Sequence, residues 1–131
     1  MTQPPASSAT PGPDAWTVVG DLVAWLNESN GAGPQETALR LLKVTEESGE
    51  VAQAYIGLTG QNPRKGVTHT PADVAGELCD VIVAAMVALH SFTDQPARLL
   101  TDKLTAIEHR SRAFREHTAA DPDGGADGST G

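Results

Sequence analysis

Between Val74 and Leu89 the chain reads VAGELCDVIVAAMVAL, and the only charged side chains in it are Glu77 and Asp80. A segment this long and apolar nearly all round is a helix that should be buried on most of its sides. Glu77 and Asp80 stand three residues apart, about 60° around a helix, so both carboxylates leave one patch. On a helical projection that patch is bordered by Val81, Ala84, Val87 and Ala88. Charge in such a setting is strongly unfavourable unless a cation or basic partners meet it. This helix therefore constrains the fold and poses the question of function together.

Its start is well marked: Thr70 can cap, Pro71 suits the first helical position, and Asp73 completes a capping box, with the helix running to about His90. Three further helices are expected. The first covers 14–28, where Trp16, Val19, Leu22, Val23 and Leu26 recur at helical spacing before the breaker run from Ser29 to Pro34. The second runs from Gln35 to Thr59 and stops at Gly60. Pro96 opens the fourth, to about residue 117, with Leu99, Leu100, Leu104, Ile107 and Phe114 on one side and Lys103, Arg110, Arg112 and Arg115 elsewhere. Period-two β-branched runs and hairpin turn pairs are missing, so the expected fold is an all-α four-helix bundle. Residues 60–70 form a loop with Pro63, Gly66 and two adjacent cations, Arg64 and Lys65. Residues 1–13, without charge, and 118–131, rich in Asp and Gly without bulky apolar side chains, read as disordered tails around one domain at 14–117.

Composition narrows the function classes. A net charge of −8 argues against binding nucleic-acid polymers or anionic membranes, which need concentrated basic surface. No apolar run is long enough to span a bilayer, and the start lacks a basic segment followed by an apolar one. One cysteine, Cys79, excludes an internal disulfide framework and fits a reducing cytoplasm; between apolar neighbours it reads as a small buried hydrophobe. There is no Gly-rich phosphate loop of the Walker type. The histidines lack metal-ligand spacing, and His109 and His117 read as exposed. Trp16 fits the apolar stripe of the first helix better than a base-stacking role, Trp25 is open to either, and Tyr55 lies on the second helix's apolar face.

The second helix repeats the acidic arrangement in Thr45-Glu46-Glu47-Ser48-Gly49-Glu50, with Glu47 and Glu50 three apart and Glu47 beside Val44 and Val51. Gly49 inside a helix costs about 1 kcal/mol relative to alanine and often marks close approach of another group. Such acids are commonly just solvated surface. Two facing helices, each offering two carboxylates, would instead build an oxygen cage that favours magnesium or manganese over zinc. A ferritin-like di-iron site needs Glu-x-x-His, and here the third residue onward is Glu50 or Asp80.

Glu46-Glu47-Ser-Gly-Glu50 followed by Glu77-Leu-Cys-Asp80 resembles the Glu-Glu-x-x-Glu and Glu-x-x-Asp signature of the MazG-like family of all-α nucleoside triphosphate pyrophosphohydrolases, over about residues 14–117. The resemblance implies cleavage between the α and β phosphates to a monophosphate and pyrophosphate, with house-cleaning of non-standard nucleotides as the analogous role. It implies magnesium held by Glu47, Glu50, Glu77 and Asp80, with Glu46 orienting or deprotonating the attacking water or reaching a second ion. Lys103 and Arg110 match a lysine and an arginine that follow in related enzymes, while the intervening asparagine is missing. A solvated helix surface accounts for Lys103, Arg110 and Arg112 as well. Arg64 and Lys65, in a flexible loop, suit closure over a polyphosphate. The same resemblance allows a phosphoribosyl-ATP pyrophosphohydrolase; a non-catalytic nucleotide-binding module and a purely structural helical protein are the alternatives. The third helix carries more apolar surface than one chain this size covers, which points to a homodimer or homotetramer.

Overall fold

Each helix begins and ends where the sequence supplies the chemistry for it. The computed structural model describes residues 12–120; the tails expected at either end otherwise lie outside the described residues. Helix α1 (Ala15–Asn30) is capped by Asp14, whose carboxylate accepts from Thr17 N at 3.0 Å, and it stops at Gly31, where φ is 78°. Helix α2 (Pro34–Thr59) starts on Pro34 and ends at Gly60 in the left-handed region. Helix α3 (Pro71–Leu89) has the full capping box: Thr70 Oγ1 accepts from Asp73 N, and Thr70 N donates to Asp73 Oδ2 at 2.7 Å. Helix α4 (Pro96–Ala120) continues past residue 117, so Thr118 to Ala120 belong to the helix and not to a tail. The described residues form four helices and no strand. The chain is all-α, as its patterning requires.

The helices α1 to α3 make one compact unit, in which α3 packs on both α2 and α1. The inward stripe of α1 is Trp16, Val19, Val23 and Leu26; Val19 and Val23 meet Val87 of α3, with Leu22, Leu26 and Met86 around them. The inward stripe of α3 is Val74, Glu77, Val81, Ala84 and Ala88. That of α2 is Arg40, Val44, Glu47, Val51, Ala54 and Leu58. Steps of three and four residues put all of these on one face of their helix. Charged residues thus occupy three positions where this pattern ordinarily places apolar ones.

Helix α4 is a unit by itself. None of its side chains is buried, and the apolar stripe from Leu99 to Phe114 is exposed along its length. Arg112 and Glu108 pair at 2.6 Å across one turn, a solvated pair of small energetic consequence.

Three expectations need correction. Helix α3 is buried only along Ala84, Val87 and Ala88, while Leu78 is 49% and Ile82 58% exposed; two neighbouring helices in a small unit cover one side of a third, not all of it. Cys79 is exposed because it falls off the inward stripe. Gly49 has nothing within 4 Å of where a Cβ would stand. Close approach occurs instead at Gly57, where a Cβ would run into His69 and Thr68 of the following loop, and Thr68 N donates to Gly57 O at 2.9 Å.

Candidate metal centre

Glu47 on α2 and Glu77 on α3 are held in the seam between the two helices, because both fall in register with the buried valines and alanines. Asp80, one turn beyond Glu77, is exposed at the edge of the same seam. One carboxylate oxygen from each of Glu47, Glu77 and Asp80 lies within 4.8 Å of the others. Three hard oxygen donors converging from two rigid helices suit a divalent cation such as magnesium or manganese, which prefers carboxylate and water to nitrogen or sulfur.

Glu50 is the fourth expected ligand, and its place is different. It sits half-buried against Glu47, and hydrogen bonding to Glu47, with like charge on Glu47, Glu77 and Glu46, pushes its carboxyl above the usual range. Glu47 is pulled the other way, chiefly by a hydrogen bond from Lys43. The two acids are therefore pushed apart in their titration, Glu47 downwards and Glu50 upwards. Glu46 turns away: its Oε2 pairs with Lys43 Nζ at 2.8 Å and its side chain is 57% exposed.

Lys43, not singled out above, is the counter-charge of the cluster. Its Nζ stands 2.8 Å from Glu46 Oε2 and 2.8 Å from Glu47 Oε1, and these bonds raise its own protonation range. Arg40 was missed as well. It is only 7% exposed; its Nε donates to Glu36 at 3.1 Å and its Nη2 to Asn27 Oδ1 of α1 at 2.9 Å. The available signal was the spacing: Glu36 to Arg40 and Lys43 to Glu47 are both pairs four apart with the acid or base on the core stripe.

Beside the acids lies a cavity of about 380 Å³. Its walls are apolar, from Leu22 and Leu26 of α1, Leu39 of α2, and Val83, Ala84 and Val87 of α3. Asn30, Glu36 and Arg40 are among its polar lining, as are Lys43, Glu47 and Asp80. Along α2, Arg40 precedes Glu47 by two turns, about 10 Å.

The expected basic residues are not gathered here. Arg64 and Lys65 are exposed in the loop after α2, and Lys65 lines a second, smaller cavity of about 170 Å³ with Gln61, Asn62 and His69. Lys103 and Arg110 are exposed on α4. Trp16 is half-buried, its ring 5.9 Å from that of His90, whereas Trp25 is 59% and Tyr55 58% exposed. No helix among the described residues is long and apolar enough to cross a membrane. Comparison with models of protein families, with curated proteins and with solved structures returned no match.

Proposed function

We propose that the chain is a magnesium-dependent hydrolase of the MazG-like kind, cleaving a nucleoside triphosphate or modified nucleotide to the monophosphate and pyrophosphate. The observation that carries this reading is the convergence of Glu47, Glu77 and Asp80 within 4.8 Å from two helices, where like charges so close repel unless a cation meets them. In this reading Glu47, Glu77 and Asp80 hold the ion, with Glu50, half-buried one turn from Glu47, as the fourth carboxylate. When bound, the ion supplies neutralisation of charge on the polyphosphate and activation of water. The chain's own contribution is orientation: Lys43 beside Glu46 and Glu47 offers an ammonium to phosphate oxygens, and Glu46 would accept a proton from water on swinging from Lys43 towards the cluster.

Arg64, Lys65, Lys103 and Arg110 are further candidates for phosphate contact in the assembled enzyme. The exposed side chains Leu42, Leu78 and Ile82 favour a homodimer or homotetramer, and a chain with one exposed thiol suits the cytoplasm. Incubation of the purified protein with a panel of nucleoside triphosphates and magnesium tests the reading, with pyrophosphate as the readout. Release of pyrophosphate that is lost in both Glu47→Gln and Asp80→Asn is expected. Manganese binding without turnover of any nucleotide, or no divalent-ion binding at all, would leave a binding module or a structural protein respectively.

A further inference from the structure

No side chain of α4 is buried, and Leu104 is 56% and Phe114 69% exposed. Such a helix lacks the packing from which helices in proteins draw most of their stability. Its apolar positions follow a strict rule: Ala97, Leu100, Leu104, Ile107, Ser111 and Phe114 alternate steps of three and four, with the small hydroxyl of Ser111 at one place. The columns on either side are polar, Lys103, Arg110 and His117 on one and Thr101, Glu108 and Arg115 on the other. A helix lying on a globular unit presents a wider apolar face, three or four positions in seven. Two positions in seven, between polar columns, is the seam of a coiled coil. Of the large apolar side chains of α4 only Leu99 falls outside it.

We propose that α4 pairs along this seam with α4 of a second copy of the chain, the two helices parallel and in register. The flanking charges set the direction. With the helices parallel, Lys103 of each copy falls opposite Glu108 of the other, so two attractive pairs flank Leu104 and Ile107. Glu108 carries Arg112 on its own helix at 2.6 Å, and a carboxylate with two oxygens accommodates the second cation as well. Arg110 falls opposite Arg115 and loosens the end that holds Ser111 and Phe114. With the helices antiparallel and Leu104 against Ile107, Lys103 meets Arg110 on both sides and no attraction offsets it. The pairing is independent of the hydrolase reading, and it uses a surface other than the exposed side chains of α2 and α3.

Cross-linking of the full chain carrying Cys79→Ser and Ser111→Cys tests this, with oxidation followed on a non-reducing denaturing gel. Equal positions in a parallel seam come within disulfide reach, so the band should shift from one chain to two. Cys79→Ser with His109→Cys, on the opposite face of the same helix, should stay at one chain. Ser111→Leu fills the polar gap in the seam. With helical circular dichroism retained, it should lower the dissociation constant from a light-scattering dilution series at least about tenfold. No cross-link at Ser111, one formed as readily at His109, or a dissociation constant unmoved by Ser111→Leu overturns the proposal. A mass of one chain at every concentration also overturns it, and leaves the seam to a helix of a different protein.

Discussion

Replacing Arg40 with methionine isolates what a charged pair contributes when it is buried. The guanidinium bridges α2 and α1, and at 7% exposure beside a Glu36 side chain at 12% both partners have little water to fall back on. Methionine keeps much of the packing volume but strands the Glu36 carboxylate and Asn27 Oδ1. Removing one partner of a fully buried pair costs roughly 3–5 kcal/mol. Asn30 still donates to Glu36, and some solvent reaches it, so about 2–4 kcal/mol is expected here. The unit has few buried apolar side chains, Val19, Val23, Ala54, Ala84, Val87 and Ala88, and domains of this kind have only about 5 kcal/mol or a little more to lose.

Urea denaturation followed by helical circular dichroism measures this at one fixed protein concentration, since association would otherwise shift the midpoint. With a slope of about 1 kcal/mol per molar, the midpoint should fall by roughly 2 M or more. Arg112→Met is the control: Arg112 and Glu108 are closer, at 2.6 Å, but their side chains are 64% and 58% exposed, and its loss should stay below about 0.5 kcal/mol. Adding Glu36→Gln to Arg40→Met should restore part of the stability, because the stranded charge is gone. If Arg40→Met costs no more than Arg112→Met, the burial argument fails, and with it the account of the polar lining of the cavity.

Lys43→Met should tighten manganese binding, measured by electron paramagnetic resonance, because the ion no longer competes with an ammonium 2.8 Å from Glu47; weaker binding would make Lys43 a support of the site and not a competitor. Thr70→Ala should cost about 1 kcal/mol through the lost cap at the start of α3, readable in the same urea titration. The Asp73 carboxyl is held below its usual range by the backbone N–H and hydroxyl of Thr70. Its stabilisation is therefore present above the range where the unfolded group titrates and disappears as pH falls through the lower folded value, so Asp73→Asn should reduce the acid sensitivity of helicity below about pH 4. Ile82→Glu, on the exposed side of α3, should lower the mass seen by light scattering if α3 lies in a contact between copies; an unchanged mass would place that contact elsewhere.

Elements were legible wherever the signal is local. Thr70, Pro71 and Asp73 gave the start of α3 to the residue, and Gly60 the end of α2, because caps and left-handed stops act within one turn. Burial was less legible, since composition reports how apolar a helix is and not which neighbours it has. Leu39, Leu41 and Leu42 look like core and are about half exposed, while Arg40 between them is buried. The register of α2 resolves this: extending Val44, Val51, Ala54 and Leu58 backwards in steps of three and four lands on Glu47 and Arg40 and passes over the three leucines.

The same register connects fold and site. Hydrophobic weight alone would turn α2 to bury its leucine cluster, which would carry Glu47 towards solvent and leave Asp80 and Glu77 without the facing carboxylate. The observed rotation buries smaller side chains, Val44, Val51 and Ala54, and places Glu47 opposite Glu77. Such an arrangement gives up apolar burial on α2 and puts like charges in one seam, each a loss for an isolated unit. Both losses shrink if a cation joins the acids and a second copy covers the leucines, so metal binding and association should reinforce each other. If the chain associates, manganese should therefore raise the mass seen by light scattering, and a mass independent of manganese would break that link.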